Sequence, residues 1–184
     1  VRGQVSPVEF IPVAEESGLI NLIGDRVVDI ACGQIRAWLD AGIEPPRIAI
    51  NISSMQFSQK NFVDELAATL TKHGIDGTRI AVEITESVIM DNINTHLKTL
   101  GTLRSLGIEL SVDDFGTGYS SLAYLKRLPL HELKIDRSFL TGINSDDDSA
   151  AIVTAIVSMG HQLGLKIVAE GVETHQQLDF LRTH

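Results

Sequence analysis

The sequence predicts an α/β protein in which strand–helix units build a parallel sheet whose polar face closes inward. Three observations carry this expectation. Five short β-branched runs recur along the chain, helix-period segments separate most of them, and one side-chain parity repeats from run to run. The 184 residues suffice for one domain with a real core but are short for a complete α/β barrel. With no low-complexity segment, Pro-rich linker or composition break, residues 1–184 read as a single domain.

At the N-terminus, Ser6-Pro7-Val8-Glu9 reads as a capping box with Pro at the first helical position. Cys32 and Trp38 follow in apolar surroundings and are assigned to packing; a single cysteine excludes an internal disulfide framework. The β-branched runs occupy 47–53, 79–86, 108–115, 132–139 and 166–172. Between the second and third, Asn92 is placed to cap a helix bearing Ile93, Leu97, Leu100 and Leu103 that stops at Gly107. Between the fourth and fifth, Ser145 is placed to cap a helix with Asp146, Asp147 and Asp148 on the positive end of its dipole. That helix carries Ile152, Val153, Ile156, Val157 and Leu163 and ends at Gly164.

Successive strand residues point to opposite faces, so each run divides by parity. Ile48, Ile50 and Ile52 oppose Ala49, Asn51 and Ser53; Ile80, Val82 and Ile84 oppose Ala81, Glu83 and Thr85. Ile108, Leu110 and Val112 oppose Ser111 and Asp113; Leu133 and Ile135 oppose Lys134 and Asp136; Ile167 and Ala169 oppose Val168 and Glu170. One exposed antiparallel sheet would account for a single such strand but not for five, because the helices must cover the aliphatic face. The polar face is then the inside of a barrel or closed sheet, with its polar residues towards the C-terminal strand ends, where barrel active sites are built. Asn51, Glu83, Asp113, Lys134 and Glu170 are therefore expected at one mouth.

Three carboxylates, an amide and the neighbouring Asp114 in one mouth repel one another unless they take up protons or hold cations. Oxygen donors without Cys or an evident His favour Mg²⁺ or Mn²⁺ over Zn²⁺. Asp113-Asp114, at a strand end where the chain can turn, offers one bridging and one terminal carboxylate for two metals about 4 Å apart, the arrangement of in-line phosphoryl displacement. Lys134 is suited to orienting a nucleophilic water, to stabilising phosphorane charge, or to a structural ion pair; Glu170 is suited to holding or deprotonating a metal-bound water. Phe115-Gly116-Thr117-Gly118 opens a stretch wrongly built for a P-loop and is read as a loop at the mouth, with a plain turn as the alternative. The six histidines show no ligand spacing.

Net charge is −9, from 24 acidic against 15 basic residues, which argues against a nucleic-acid polymer as partner but not against a small anion brought in by metal. No stretch approaches the roughly 20 apolar residues of a membrane span, and the start, Val1-Arg2-Gly3-Gln4, shows no signal-peptide pattern and no initiator Met. A cytoplasmic location is expected, with membrane anchorage of a parent protein left to other domains.

The motifs resemble the EAL family of bacterial cyclic-di-GMP phosphodiesterases. The matching runs are Ser6-Pro7-Val8-Glu9-Phe10-Ile11-Pro12 with Ala14-Glu15, Asn51-Ile52-Ser53, Glu83-Ile84-Thr85-Glu86, Asp113-Asp114-Phe115-Gly116-Thr117-Gly118, Lys134-Ile135-Asp136 and Glu170-Gly171-Val172-Glu173. Each is weak alone; in this order and spacing, over nearly the whole chain, they are specific together. The resemblance implies a modified, TIM-like (β/α)8 barrel, of which about five of the eight strands are visible. It also implies hydrolysis of one phosphodiester of cyclic-di-GMP to linear pGpG. Asn51, Glu83 and Asp113 are similar to the family's ligands of one metal, and Asp113 and Asp114 to those of a second. Lys134 resembles the lysine that contacts the attacking water, Glu170 the second-site acid or base, and Glu86 the glutamate that anchors the Asp-Phe-Gly-Thr-Gly loop and couples it to metal binding and dimerisation. A homodimer and covalently linked sensory or GGDEF domains are implied as partners.

The family's Glu-Ala-Leu segment, with a metal-binding glutamate and a phosphate-contacting arginine, lies before the matched runs, and its last strand lies after them. The expectation is thus a domain truncated at both ends, active in the parent protein and inactive as this piece alone. The competing reading is a non-catalytic EAL domain acting as a cyclic-di-GMP receptor or protein-interaction module. Such domains usually lose metal ligands, whereas every ligand position in the covered range is filled here.

Overall fold

The computed structural model describes residues 3, 5–116, 122–143 and 147–184. They fall into two compact units, Val1–Val82 with Leu106–Ile108, and Glu83–Ser105 with Glu109–His184.

In the first unit, α1 (Pro7–Glu16) leads to α2 (Ile20–Asp40), β1 (Ile48–Asn51), α3 (Ser54–Phe57), α4 (Phe62–His73) and the first half of β2 (Ile80–Thr85). Val28, Cys32 and Ile35 on α2 and Phe62, Leu66 and Leu70 on α4 recur at helical spacing, and all are buried where the two helices pack. Each such aliphatic side chain contributes about 1.5–3 kcal/mol. Trp38 is half-buried and lines an apolar groove with Val27, Ile30 and Ile48. The capping box expected at Ser6 is absent. Pro7 does start α1, but the Ser6 side chain makes no cap hydrogen bond. The boxes form instead at Ser53–Gln56 and Thr174–Gln177, where Gln supplies the returning side chain.

In the second unit, the rest of β2 is followed by α5 (Glu86–Asp91), α6 (Ile93–Ser105), β3 (Glu109–Phe115), α7 (Leu122–Leu125), β4 (Glu132–Ile135), α8 (Asp147–Gln162), β5 (Lys166–Ala169) and α9 (His175–Thr183). Strand order follows sequence order, β1-β2-β3-β4-β5, with β3, β4 and β5 parallel. The α/β expectation holds, and so does the parity. Leu110, Val112, Leu133 and Ile135 are buried to 1% exposure or less, α6 packs on β3, and α8 packs on β4 and β5. A Cβ at Gly160 of α8 would stand 2.1 Å from the Ile167 side chain, so the helix lies directly on the aliphatic face.

All five strands are shorter than the runs that predict them, and β1, β4 and β5 lose the most; β1 stops at Asn51, before Ser53 caps α3. The run 132–139 stops at Ile135 because the Asp136 carboxylate accepts the Ser138 amide at 2.9 Å and starts a 3-10 turn, Arg137–Phe139. The run 166–172 stops at Ala169, and Gly171 at φ 71° turns the chain away, so Glu170 stands just past the strand. Asn92 lies between α5 and α6, and its carbonyl accepts the Thr95 and His96 amides. Ser145 and Asp146 lie outside the described residues. Among the described residues no helix is long and apolar enough to cross a membrane.

Candidate active site

The inward parity of β2, β3 and β4 delivers Glu83, Asp113 and Lys134 to one place. The Lys134 ammonium donates to Glu83 Oε2 at 2.9 Å and lies 3.1 Å from Asp113 Oδ1 and 2.6 Å from Glu170 Oε1. Both Lys134 and Glu83 are buried, at 8% and 9% exposure, whereas the Glu170 side chain keeps 38% of its surface and reaches towards solvent. Burial works against the charge on Lys134, but the hydrogen bonds to Glu170, Glu83 and Asp113 outweigh it and hold the ammonium above the usual lysine range.

Asp113 and Asp114 are interior to β3 rather than at its end, and a β-bulge brings them together. Val112 pairs with Leu133 but Phe115 pairs with Ile135, so β3 carries one residue more than β4 across this interval. Asp114 absorbs the extra residue at φ 53°, the only positive φ outside glycine among the described residues. The bulge returns Phe115 to the aliphatic face, where it is buried, and leaves two consecutive aspartates opposite Lys134.

Asp136, which the parity assigned to the inner face without a role, joins this site. Burial, the charges of Asp113 and Asp136, a hydrogen bond with Asp136 and the charge of Glu170 push the Asp114 carboxyl up. Asp136 is held down by hydrogen bonds from Ser138, with Asp114 and Arg137 adding to them. Asp114 therefore takes up a proton more readily than Asp136. The usable signal was that Asp136 shares the parity of Lys134.

A second polar layer lies one step lower on the same face. Ser111, Glu132 and Lys166 are Cα partners across β3, β4 and β5; Ser111 Oγ donates to Glu132 at 3.1 Å, and Lys166 Nζ reaches Glu132 at 2.8 Å. These pairs hold the strand register beneath the acidic cluster.

The first residue of α5, Glu86, is 2% exposed, and its Oε2 accepts the Gly116 amide at 2.8 Å. Gly116 has φ 99°, and a Cβ there would lie 2.8 Å from the Phe139 ring, so no other residue fits. Thr117 and Gly118 lie outside the described residues. Glu83, Asp113, Asp114, Lys134 and Glu170 therefore gather in the second unit. Asn51 ends β1 in the first unit, where it is exposed.

The donor set suits a hard divalent cation: every donor is a carboxylate oxygen, and three carboxylates already converge on one positive charge. That charge is the Lys134 ammonium, and among the described residues no three acids or histidines form a ready metal cage.

Over residues 1–184 the sequence matches the EAL domain family. It is 49% identical over 180 residues to the bifunctional diguanylate cyclase/cyclic di-GMP phosphodiesterase MucR of Pseudomonas aeruginosa, covering 98% of this chain and 26% of that protein. It is 45% identical over 181 residues to the cyclic di-GMP phosphodiesterase NbdA of the same organism, covering 98% and 23% respectively. The fold matches the P. aeruginosa MucR phosphodiesterase in its c-di-GMP complex with a TM-score of 0.94 and 48% identity, over 99% of this chain and 74% of that one. The chain thus spans about a quarter of the length of these two curated relatives.

Proposed function

The chain belongs to the EAL domain family, and on that premise we propose that its parent protein is a metal-dependent phosphodiesterase that hydrolyses one phosphodiester of cyclic-di-GMP to linear pGpG. The observation that carries this reading is the convergence of Glu83, Asp113 and Glu170 on Lys134, beside the bulged Asp114. An acidic cluster of this density, built on β2, β3, β4 and the residue after β5, suits cation-assisted phosphoryl chemistry better than packing.

Glu83, Asp113 and Asp114 would hold Mg²⁺ or Mn²⁺, two ions in all, which supply Lewis acidity at the phosphoryl oxygen and acidify bound water. Lys134 keeps Glu83, Asp113 and Glu170 in place and presents a positive charge where the phosphorane forms. Glu170, the most exposed of those three carboxylates, accepts the proton of the attacking water. Dimerisation and covalently linked sensory or GGDEF domains belong to the same proposal; the relatives are several times longer than this chain, which leaves room for such domains.

The test is cyclic-di-GMP hydrolysis by the full-length parent with Mg²⁺ or Mn²⁺, beside Glu83→Ala and Lys134→Ala. Each substitution is expected to lower turnover at least about a hundredfold. Tight cyclic-di-GMP binding with no metal-dependent turnover by the wild type would reject the enzyme in favour of a receptor.

A further inference from the structure

We infer that Arg137 is a substrate-binding residue that meets the phosphodiester of the substrate that does not react. The inference rests on the phosphodiesterase reading above but concerns a residue outside its acidic cluster. Arg137 is the first residue of the 3-10 turn beyond β4, three positions after Lys134 and next to Asp136. The turn is held by the Asp136 carboxylate, which accepts the Ser138 amide at 2.9 Å and is also bonded by the Arg137 amide.

The stem of Arg137 is braced from the other side of the site. Gly171 directly follows Glu170, has φ 71°, and comes so near that a Cβ on it would stand 2.7 Å from Arg137 Cβ and 3.9 Å from its Cδ. The arginine stem therefore runs along the backbone of the residue after Glu170, whose carboxylate is 2.6 Å from Lys134. Gly171 is thus required both by its backbone angle and by this contact.

The charges in the site are unequally committed. Lys134 is enclosed by three carboxylates and has no charge to spare for a second phosphate. Arg137 is exposed, and among the described residues its guanidinium forms no hydrogen bond or ion pair. Cyclic-di-GMP carries two phosphodiesters and only one is cleaved in a turnover. The other arrives beside a mouth lined by Asp113, Asp114, Asp136 and Glu170, where it is repelled unless a cation meets it. A guanidinium presents a fork of N–H donors matched to two phosphate oxygens, which an ammonium reproduces only in part.

The experiment uses the full-length parent as wild type, Arg137→Ala and Arg137→Lys. It measures cyclic-di-GMP affinity by calorimetry in EDTA, and steady-state hydrolysis of cyclic-di-GMP and of bis(p-nitrophenyl) phosphate, which has a single phosphodiester, with Mg²⁺ or Mn²⁺. Arg137→Ala is expected to weaken cyclic-di-GMP binding, and raise KM, by about tenfold, the size of one charge-assisted contact. Its hydrolysis of the single phosphodiester stays within about twofold of wild type, and Arg137→Lys recovers part of the affinity. Unchanged Kd and KM, or equal losses on both substrates, would overturn the inference. A wild type that binds but does not turn over leaves the affinity comparison decisive and fails only the phosphodiesterase reading. A wild type that neither binds nor hydrolyses defeats both.

Discussion

The Glu86 carboxylate accepts the Gly116 amide at 2.8 Å and so ties the start of α5 to the residue that follows β3. Glu86 is almost wholly buried, and its other oxygen, Oε1, has no hydrogen-bond partner among the described residues. An isolated buried carboxylate is costly, and Gly116 stands two residues from Asp114, which bears a left-handed backbone angle. The contact therefore acts on the position of the aspartates. Glu86→Gln keeps the shape and one acceptor, so unfolding free energy is expected within about 1–2 kcal/mol of wild type. Metal affinity, read from the rise in melting temperature during Mn²⁺ titration, should fall about tenfold. Wild-type metal affinity in this variant would show that the tie does not reach the site.

At Asp114 the backbone and the side chain can be separated. Asn tolerates the left-handed region as Asp does, whereas a β-branched residue does not. Asp114→Asn should therefore unfold within about 0.5 kcal/mol of wild type, and Asp114→Val should lose about 1–2 kcal/mol in denaturant titrations. Both should lose metal-dependent turnover. Retained activity in the Asn variant would remove the second carboxylate from the mechanism.

Lys134 makes an alkaline prediction. Its pKa is raised on folding, so its contribution to stability is complete below the unfolded lysine value, about 10.4, and disappears only as pH rises through the higher folded value. The share of stability due to Lys134 is expected to be constant across neutral pH and to decline only in strong alkali, followed by denaturant midpoints from pH 7 upward. Lys134→Met strands three carboxylates and should cost about 3 kcal/mol or more at pH 7.

On the first unit, Asp29 accepts from His73 at 2.7 Å and from Lys72 at 2.6 Å, joining α2 to the end of α4. Those hydrogen bonds, His73 first, lower its pKa from 3.8 to about 2. A lowered carboxylate stabilises the fold above its unfolded value and loses that contribution as pH falls through the folded one. The stability difference between wild type and Asp29→Asn should be flat above about pH 5 and shrink between pH 3.8 and about 2. A difference that persists unchanged to pH 2 would mean that the pairing contributes nothing to folding.

Much of this site was readable one strand at a time. Side-chain alternation is a local property of extended backbone, so the run containing Leu133, Lys134 and Ile135 showed which residue faces inward before any partner was known. The same reasoning placed Glu83 and Asp113 inward and left Leu110, Val112 and Ile135 for the helices, as found. Helix caps were less readable. The sequence singles out Ser6, which makes no cap bond, and passes over Ser53, which does, because that cap depends on a Gln56 side chain held buried by the fold.

What the tertiary structure alone decided are the relations between strands. The extra residue at Asp114 exists only by comparison with β4, since a bulge is a mismatch between two chains and has no mark in either alone. The approach of Asp136 to Asp114 depends on that mismatch, and the bracing of Arg137 on Gly171 depends on where β5 ends. Sequence by itself determined which side chains face inward, because pleating is set residue by residue. The fold determined which of them touch, because register and strand length are set by pairing.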